Sequence, residues 1–231
     1  MFMFDPLYFI LAAPGLLLAL YASWKTKSTF NEYSQKISTY GLTGAEAAEK
    51  MLHNADVYDV TIEETQGFLS DHYDPTNKTL RLSPDVYRKN SLSAIGVACH
   101  EAGHALQHAE GYAPLKMRSS MVPLTNISST LSYPLLFIGI FMASTNMILA
   151  GVVLFSVAVV FSLVTLPVEW DASARAKKLM VSTGVVPADE AYGAGKVLDA
   201  AFLTYVASAV SALLTLLYYL LRSGILGNRD D

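Results

Sequence analysis

Within the stretch SLSAIGVACHEAGHALQHAEGY, His100 and His104 stand four residues apart with Glu101 beside the first. On a helix that spacing puts both imidazoles on one face, a turn apart, where they can converge on a single cation. Zinc suits them, since it takes nitrogen and oxygen ligands in tetrahedral geometry. Glu101 falls about 100° around the helix from His100, beside the metal rather than on it. A carboxylate there can take the proton of a water attacking a carbonyl carbon, so this pentapeptide offers both metal ligands and a base. Small and apolar residues fill Ser93 to Ala109, no proline interrupts them, and Gly111 lies just beyond. That pattern predicts a mostly buried helix, in which two histidines and a glutamate would be costly to desolvate without partners that a metal can supply. His108 shares a similar face but lies about 6 Å along the axis from His104 and about 12 Å from His100, too far to bind the same ion as both, and is expected at the helix end or behind the ligands. A metzincin would need Gly at 107 and His at 110; Gln107 and Glu110 exclude that class.

A catalytic zinc needs a third protein ligand. The segment PVEWDASARAKKLM offers Glu169 and Asp171. With Pro167 opening a helix, Glu169 and Ser173 share a face while Asp171 points away toward Arg175, its i,i+4 partner. Glu169 is therefore the expected third ligand and Asp171 the reserve. The alternative is that Glu169 is an interfacial charge at a helix start.

The elements that must bring these segments together are set by hydropathy. The 231 residues are 52% hydrophobic and 16% charged, with 16 Lys and Arg against 20 Asp and Glu and a net charge of −4; mean hydropathy is +0.35. Charge is withheld from four apolar stretches, Leu7 to Ser23, Ser128 to Ala143, Met147 to Leu166 and Val197 to Leu221, each near or above the length needed to cross a bilayer. The second and third are separated only by Ser144, Thr145 and Asn146 and predict a helical hairpin. The start, MFMFDP, has an acid and no Lys or Arg, which favours an uncleaved anchor over a signal peptide. Ten Lys and Arg lie in residues 24–121, four in 168–196 and two after Leu221. The positive-inside rule then puts the 24–121 region in the cytoplasm, and a two-span hairpin returns residues 168–196 to the same side. The expected organisation is an anchor at 1–24, a lobe at 25–121, a hairpin at 122–167, a polar segment at 168–196 and a final span and tail at 197–231. No basic run suggests nucleic acid as a partner. The single cysteine, Cys99, excludes an internal disulfide framework and is expected to be a packed small side chain.

In the polar region before the metal motif, Thr43 and Glu46 have capping-box spacing at the head of an amphipathic helix over 41–53. A short strand is expected from Val57 to Ile62. DHYDPTNKTLRLS reads as a hairpin with its turn at Asp74 to Asn77, Leu80 and Leu82 facing one side and Thr79 and Arg81 the other. Its edge offers main chain to an extended peptide, against the alternative of a short surface hairpin with no ligand.

HEAGHALQH after a small-residue helix, then a hydrophobic hairpin, then PVEWDASARA resembles the YugP-type neutral zinc metallopeptidases of bacteria. GLTGAEAA and DHYDPTNKTLRLS are similar to that family too, so the likeness runs from about Gly41 to Tyr205. More distantly the chain is similar to the HtpX-type membrane gluzincins, whose HExxH is followed by a helix reading roughly ExEAD. Matching Glu169, Asp171 and Ala172 to that pattern carries the third ligand onto Glu169; the departure is Ser173, where those proteases have Asp. The resemblance implies peptide-bond hydrolysis at the cytoplasmic membrane.

Two residues of the last span remain. Tyr205, in AFLTYVAS, is a candidate donor to the oxyanion formed during attack, against the alternative of an interfacial anchor. Asp199 is expected to begin that helix at the interface. Together these readings describe a mainly α integral membrane protein with about four spans and a small α+β, zincin-like cytoplasmic lobe. It would hold one Zn²⁺ on His100, His104 and Glu169, with Glu101 as base, in a multi-pass protein of the bacterial inner membrane acting on membrane proteins or hydrophobic peptides. The rival is a non-catalytic membrane scaffold with a structural zinc; a transporter fits poorly, because the spans lack repeated polar interruptions.

Overall fold

A computed structural model describes residues 5–67 and 70–223. Its elements in chain order are α1 (Pro6–Ser34), α2 (Gly44–His53), β1 (Thr61–Glu64), β2 (His72–Asp74), β3 (Thr79–Leu82), α3 (Pro84–Arg88), α4 (Leu92–Ala109), α5 (Ala113–Phe141), α6 (Thr145–Ser182) and α7 (Ala188–Arg222). The protein is mainly α with a small three-stranded sheet, and α1, α5, α6 and α7 are each long and apolar enough to cross a membrane.

The chain divides into two compact units. One comprises the chain up to Ala22, residues 117–166 and residues from 204 onward. Within it Leu136 of α5 is buried with Ile148, Val152, Phe155 and Val159 of α6, and Ala212 and Leu216 of α7 pack against them. Its outward side chains are large and apolar, Phe137 and Phe141 of α5 and Val153 of α6 among them, a surface that lipid solvates and water does not.

The second unit comprises residues 23–116 and 167–203. Its core joins Ala47, Met51 and Leu52 of α2, Leu80 and Leu82 of β3, Ile95, Cys99, Ala102 and Leu106 of α4, Ala176 and Met180 of α6, and Val197 and Leu198 of α7. The Thr43 capping box is present: its hydroxyl accepts from the Glu46 amide while the Glu46 carboxylate accepts from the Thr43 amide. In the sheet, β3 is central, parallel to β1 and antiparallel to β2.

Several boundaries differ from expectation. The first strand is Thr61–Glu64 rather than Val57 to Ile62, because β1 takes its register from β3, Thr61 opposite Thr79. Thr79 is buried along with Leu80 and Leu82, since neighbours on both sides shelter a central strand. The hairpin's own free edge is therefore β2 alone. Pro167 does not open a helix; it sits inside α6, which runs from Thr145 to Ser182. Continuing the helix satisfies backbone groups that have no water to turn to next to an apolar span. Asp199 likewise lies within α7, not at its start, and pairs with Lys177 of α6.

Candidate metal centre

Ser91 begins α4 by accepting from the Ala94 amide at 3.3 Å. The helix ends in a Schellman closure: Gly111 takes a left-handed φ of 69°, its amide donates to the His108 carbonyl, and the Tyr112 amide donates to the Gln107 carbonyl at 2.8 Å. Between these ends α4 is buried over most of its surface. Its two glycines explain how. A β-carbon on Gly103 would stand 2.7 Å from the Ala172 carbonyl oxygen of α6, and one on Gly96 3.1 Å from the Ala194 carbonyl oxygen of α7. Helix propensity is given up at these positions so that backbones can approach. Gly103→Ala is accordingly expected to push α6 off α4 and weaken zinc binding while Gly111→Asn, at a turn that asparagine tolerates, leaves it unchanged; metal titration of the two variants checks this.

The close approach at Gly103 sets α6 against the histidine face. Glu169 Oε2 lies 3.2 Å from His100 Nε2 and 3.5 Å from His104 Nε2. Glu169 is only 2% exposed and His104 8%. These three residues form a group that could hold a metal ion, their ligand atoms all within 4.8 Å of one another. The fit to zinc can be tested by arithmetic. Arms of about 2.0–2.1 Å at tetrahedral angles place neighbouring donors about 3.3–3.4 Å apart, and the 3.2 and 3.5 Å separations from Glu169 Oε2 bracket that distance. Two imidazole nitrogens and one carboxylate are also the donor set of a known catalytic zinc type.

Each histidine is held from behind. His100 Nδ1 lies 3.1 Å from the Ser173 hydroxyl, so the residue that departs from the gluzincin pattern still reaches the ligand. His104 Nδ1 lies 3.0 Å from Gln107 Oε1. Burial, the largest influence, disfavours a charged His104, but Glu169 and Glu101 outweigh it and raise its pKa. Asp171 is not part of the group. Its carboxylate accepts from Gln107 Nε2 at 2.8 Å and from Arg175 Nε at 2.6 Å, the i,i+4 pairing expected for it.

Glu101 is half-buried on α4. A second acid, Asp71, is close enough to feel its charge. Burial raises the Asp71 carboxyl above its ordinary range, against hydrogen bonds from the Ser83 amide and hydroxyl. His108 is no part of the metal group; its Nδ1 lies 2.9 Å from the Tyr73 hydroxyl, a phenol that burial pushes up to about 12. Cys99 is fully buried, and burial lifts its thiol far above its usual range, as a packing residue requires. Tyr205 is half-buried on α7, within the apolar unit. Gln107, Ser173 and Asp71 were not singled out as site residues by the sequence. Gln107 follows the second histidine by three, and that spacing is the one signal that pointed to it.

A helix carrying HExxH, a glutamate from a later helix and four apolar helices define a membrane protein of the zinc-peptidase class. Over residues 8–224 the sequence matches the family described as "putative neutral zinc metallopeptidase", and the chain belongs to that family. It is 46% identical over 226 residues to "Putative membrane protease YugP" of Bacillus subtilis (strain 168), covering 97% of this chain and 99% of that protein. No solved structure matches.

Proposed function

We propose that this chain is a membrane zinc metalloendopeptidase that hydrolyses peptide bonds of membrane proteins or hydrophobic peptides. The observation that carries the reading is the convergence of His100 Nε2, His104 Nε2 and Glu169 Oε2 at zinc-like spacing with Glu101 on the next position of the same helix. His100, His104 and Glu169 would hold one zinc ion. When bound, zinc supplies Lewis acidity toward water and the scissile carbonyl. Glu101 takes a proton from the attacking water as the C–O bond forms, then delivers it to the departing amine as the C–N bond breaks. Ser173 and Gln107 hold the imidazoles in place meanwhile.

The Lys and Arg distribution supports an active site on the cytoplasmic side of a bacterial inner membrane, with the chain crossing it several times. A bilayer setting supports apolar substrates. Glu169 follows Leu166, where the apolar stretch of α6 ends, by three positions on one helix. The test is purified full-length protein in liposomes, offered an unfolded membrane protein and a soluble peptide. Cleavage of the former that stops on chelation and returns with zinc is expected. Cleavage of the soluble peptide alone would overturn the substrate assignment, and a fourth protein side chain on the zinc would favour the scaffold reading instead.

Tyr205 is kept as a candidate oxyanion donor, against the reading of an interfacial anchor. Tyr205→Phe is then expected to lower kcat by about 10²–10³ with KM little changed; an interfacial anchor would leave kcat untouched.

A further inference from the structure

Gln107 is fully buried, with a side chain that has no slack in its hydrogen bonding. Its Nε2 donates to the Val168 carbonyl oxygen at 2.8 Å and to Asp171 Oδ2 at 2.8 Å. A carbonyl oxygen and an ionised carboxylate can only accept, so the amide nitrogen must face them. Flipping the amide would set three oxygens against one another. Oε1 is thereby committed to His104, 3.0 Å away, and an amide oxygen also only accepts. His104 Nδ1 must then carry the hydrogen, and Nε2, 3.5 Å from Glu169 Oε2, is the nitrogen left for a metal, which displaces any proton that Glu169 holds there.

The chain of constraint runs further. Asp171 is held as an acceptor by Arg175, whose Nε donates to the same Oδ2 at 2.6 Å. Arg175 is fixed in turn by Glu110 at 2.6 Å and by the Tyr112 ring 5.7 Å from its guanidinium carbon. His100 has no equivalent arrangement. Its Nδ1 faces the Ser173 hydroxyl, which can donate or accept and so dictates nothing.

We propose that Gln107 is a positioning residue that acts through His104, and that Arg175 and Asp171 form with it a relay that fixes His104 as the Nδ1–H tautomer before any metal arrives. The inference rests on the reading of His100, His104 and Glu169 as metal ligands, and gives the two histidines different duties: His104 is preset by the fold, whereas His100 adjusts to the ion. It also assigns a purpose to the Arg175–Asp171 pair, which touches no metal ligand. Outer hydrogen bonds of this sort orient the ring and raise its basicity toward metal.

The test uses full-length protein in detergent and two readouts. Imidazole ¹⁵N shifts of the metal-free protein, at a pH where the ring is neutral, report the tautomer; competition with a chromophoric chelator reports zinc affinity. The wild type is expected to show a single Nδ1–H form for His104. In Gln107→Met the tautomers should mix and zinc binding weaken about 10–100-fold. Arg175→Met, at the periphery, should shift both readouts the same way by less, and adding it to Gln107→Met should cost little more, as members of one relay behave. Arg175→Met leaves Gln107 itself in place, so it reads the tautomer even where Gln107→Met is poorly folded. A His104 signal unchanged in Gln107→Met, or mixed tautomers in the wild type, overturns the proposal. Wild-type protein that shows the preset tautomer yet binds no zinc would overturn the metal reading and leave the relay standing.

Discussion

Glu101→Gln is expected to keep its zinc and lose about 10²–10⁴ in kcat/KM, measured by metal analysis and peptide cleavage on the same preparation. The exchange keeps size and shape, so α4 and its close contacts with α6 and α7 stay intact. What goes is the ability to take a proton from water and return it to the amine. Glu101 lies outside the group of three that faces one point, which is why metal and activity should separate in this variant. Undiminished cleavage would remove Glu101 from the reaction.

Glu169→Ala should produce the opposite pattern, with metal and activity lost together. A bound ion would be left with two imidazoles at a site whose carboxylate is 2% exposed in the intact protein. Water would have to enter a packed interface to replace it. Zinc affinity is therefore expected to fall by more than the roughly 10–100-fold that loss of an outer hydrogen bond produces. Asp171→Ala serves as the comparison, since Asp171 supports Gln107 and does not face the site. If Glu169→Ala retained wild-type affinity and Asp171→Ala lost it, the ligand assignment would have to be exchanged.

The parts of this site that could be read from the sequence depend on one element at a time. His100, Glu101 and His104 declare themselves by spacing on a single helix, and the Thr43 capping box by spacing within a single turn. Glu169 could be reached because a hairpin of two spans returns the chain to where it left. Ser173 could not be assigned because His100 lies on another helix, and Gln107, though it shares α4 with His104, is oriented by Val168 and Asp171 of α6. Which atom of α6 meets which atom of α4 follows from how closely the backbones approach at Gly103 and Ala172. Glycine spacing hints at such an approach but does not fix its register. Pro167 misled for a related reason: its effect depends on surroundings, and beside an apolar span a helix has little alternative to continuing. The burial of Thr79 reflects the central place of β3, which depends on pairing with β1 from earlier in the chain.

His100 and Glu169 are 69 residues apart in the chain, and α5 with the first part of α6 lies between them. During synthesis, the two histidines emerge well before the glutamate. A nascent chain halted anywhere in that interval carries HExxH without Glu169, so the proposed site cannot close until the intervening helices have been made. Either fragment of a chain cut within the hairpin carries only part of the proposed site.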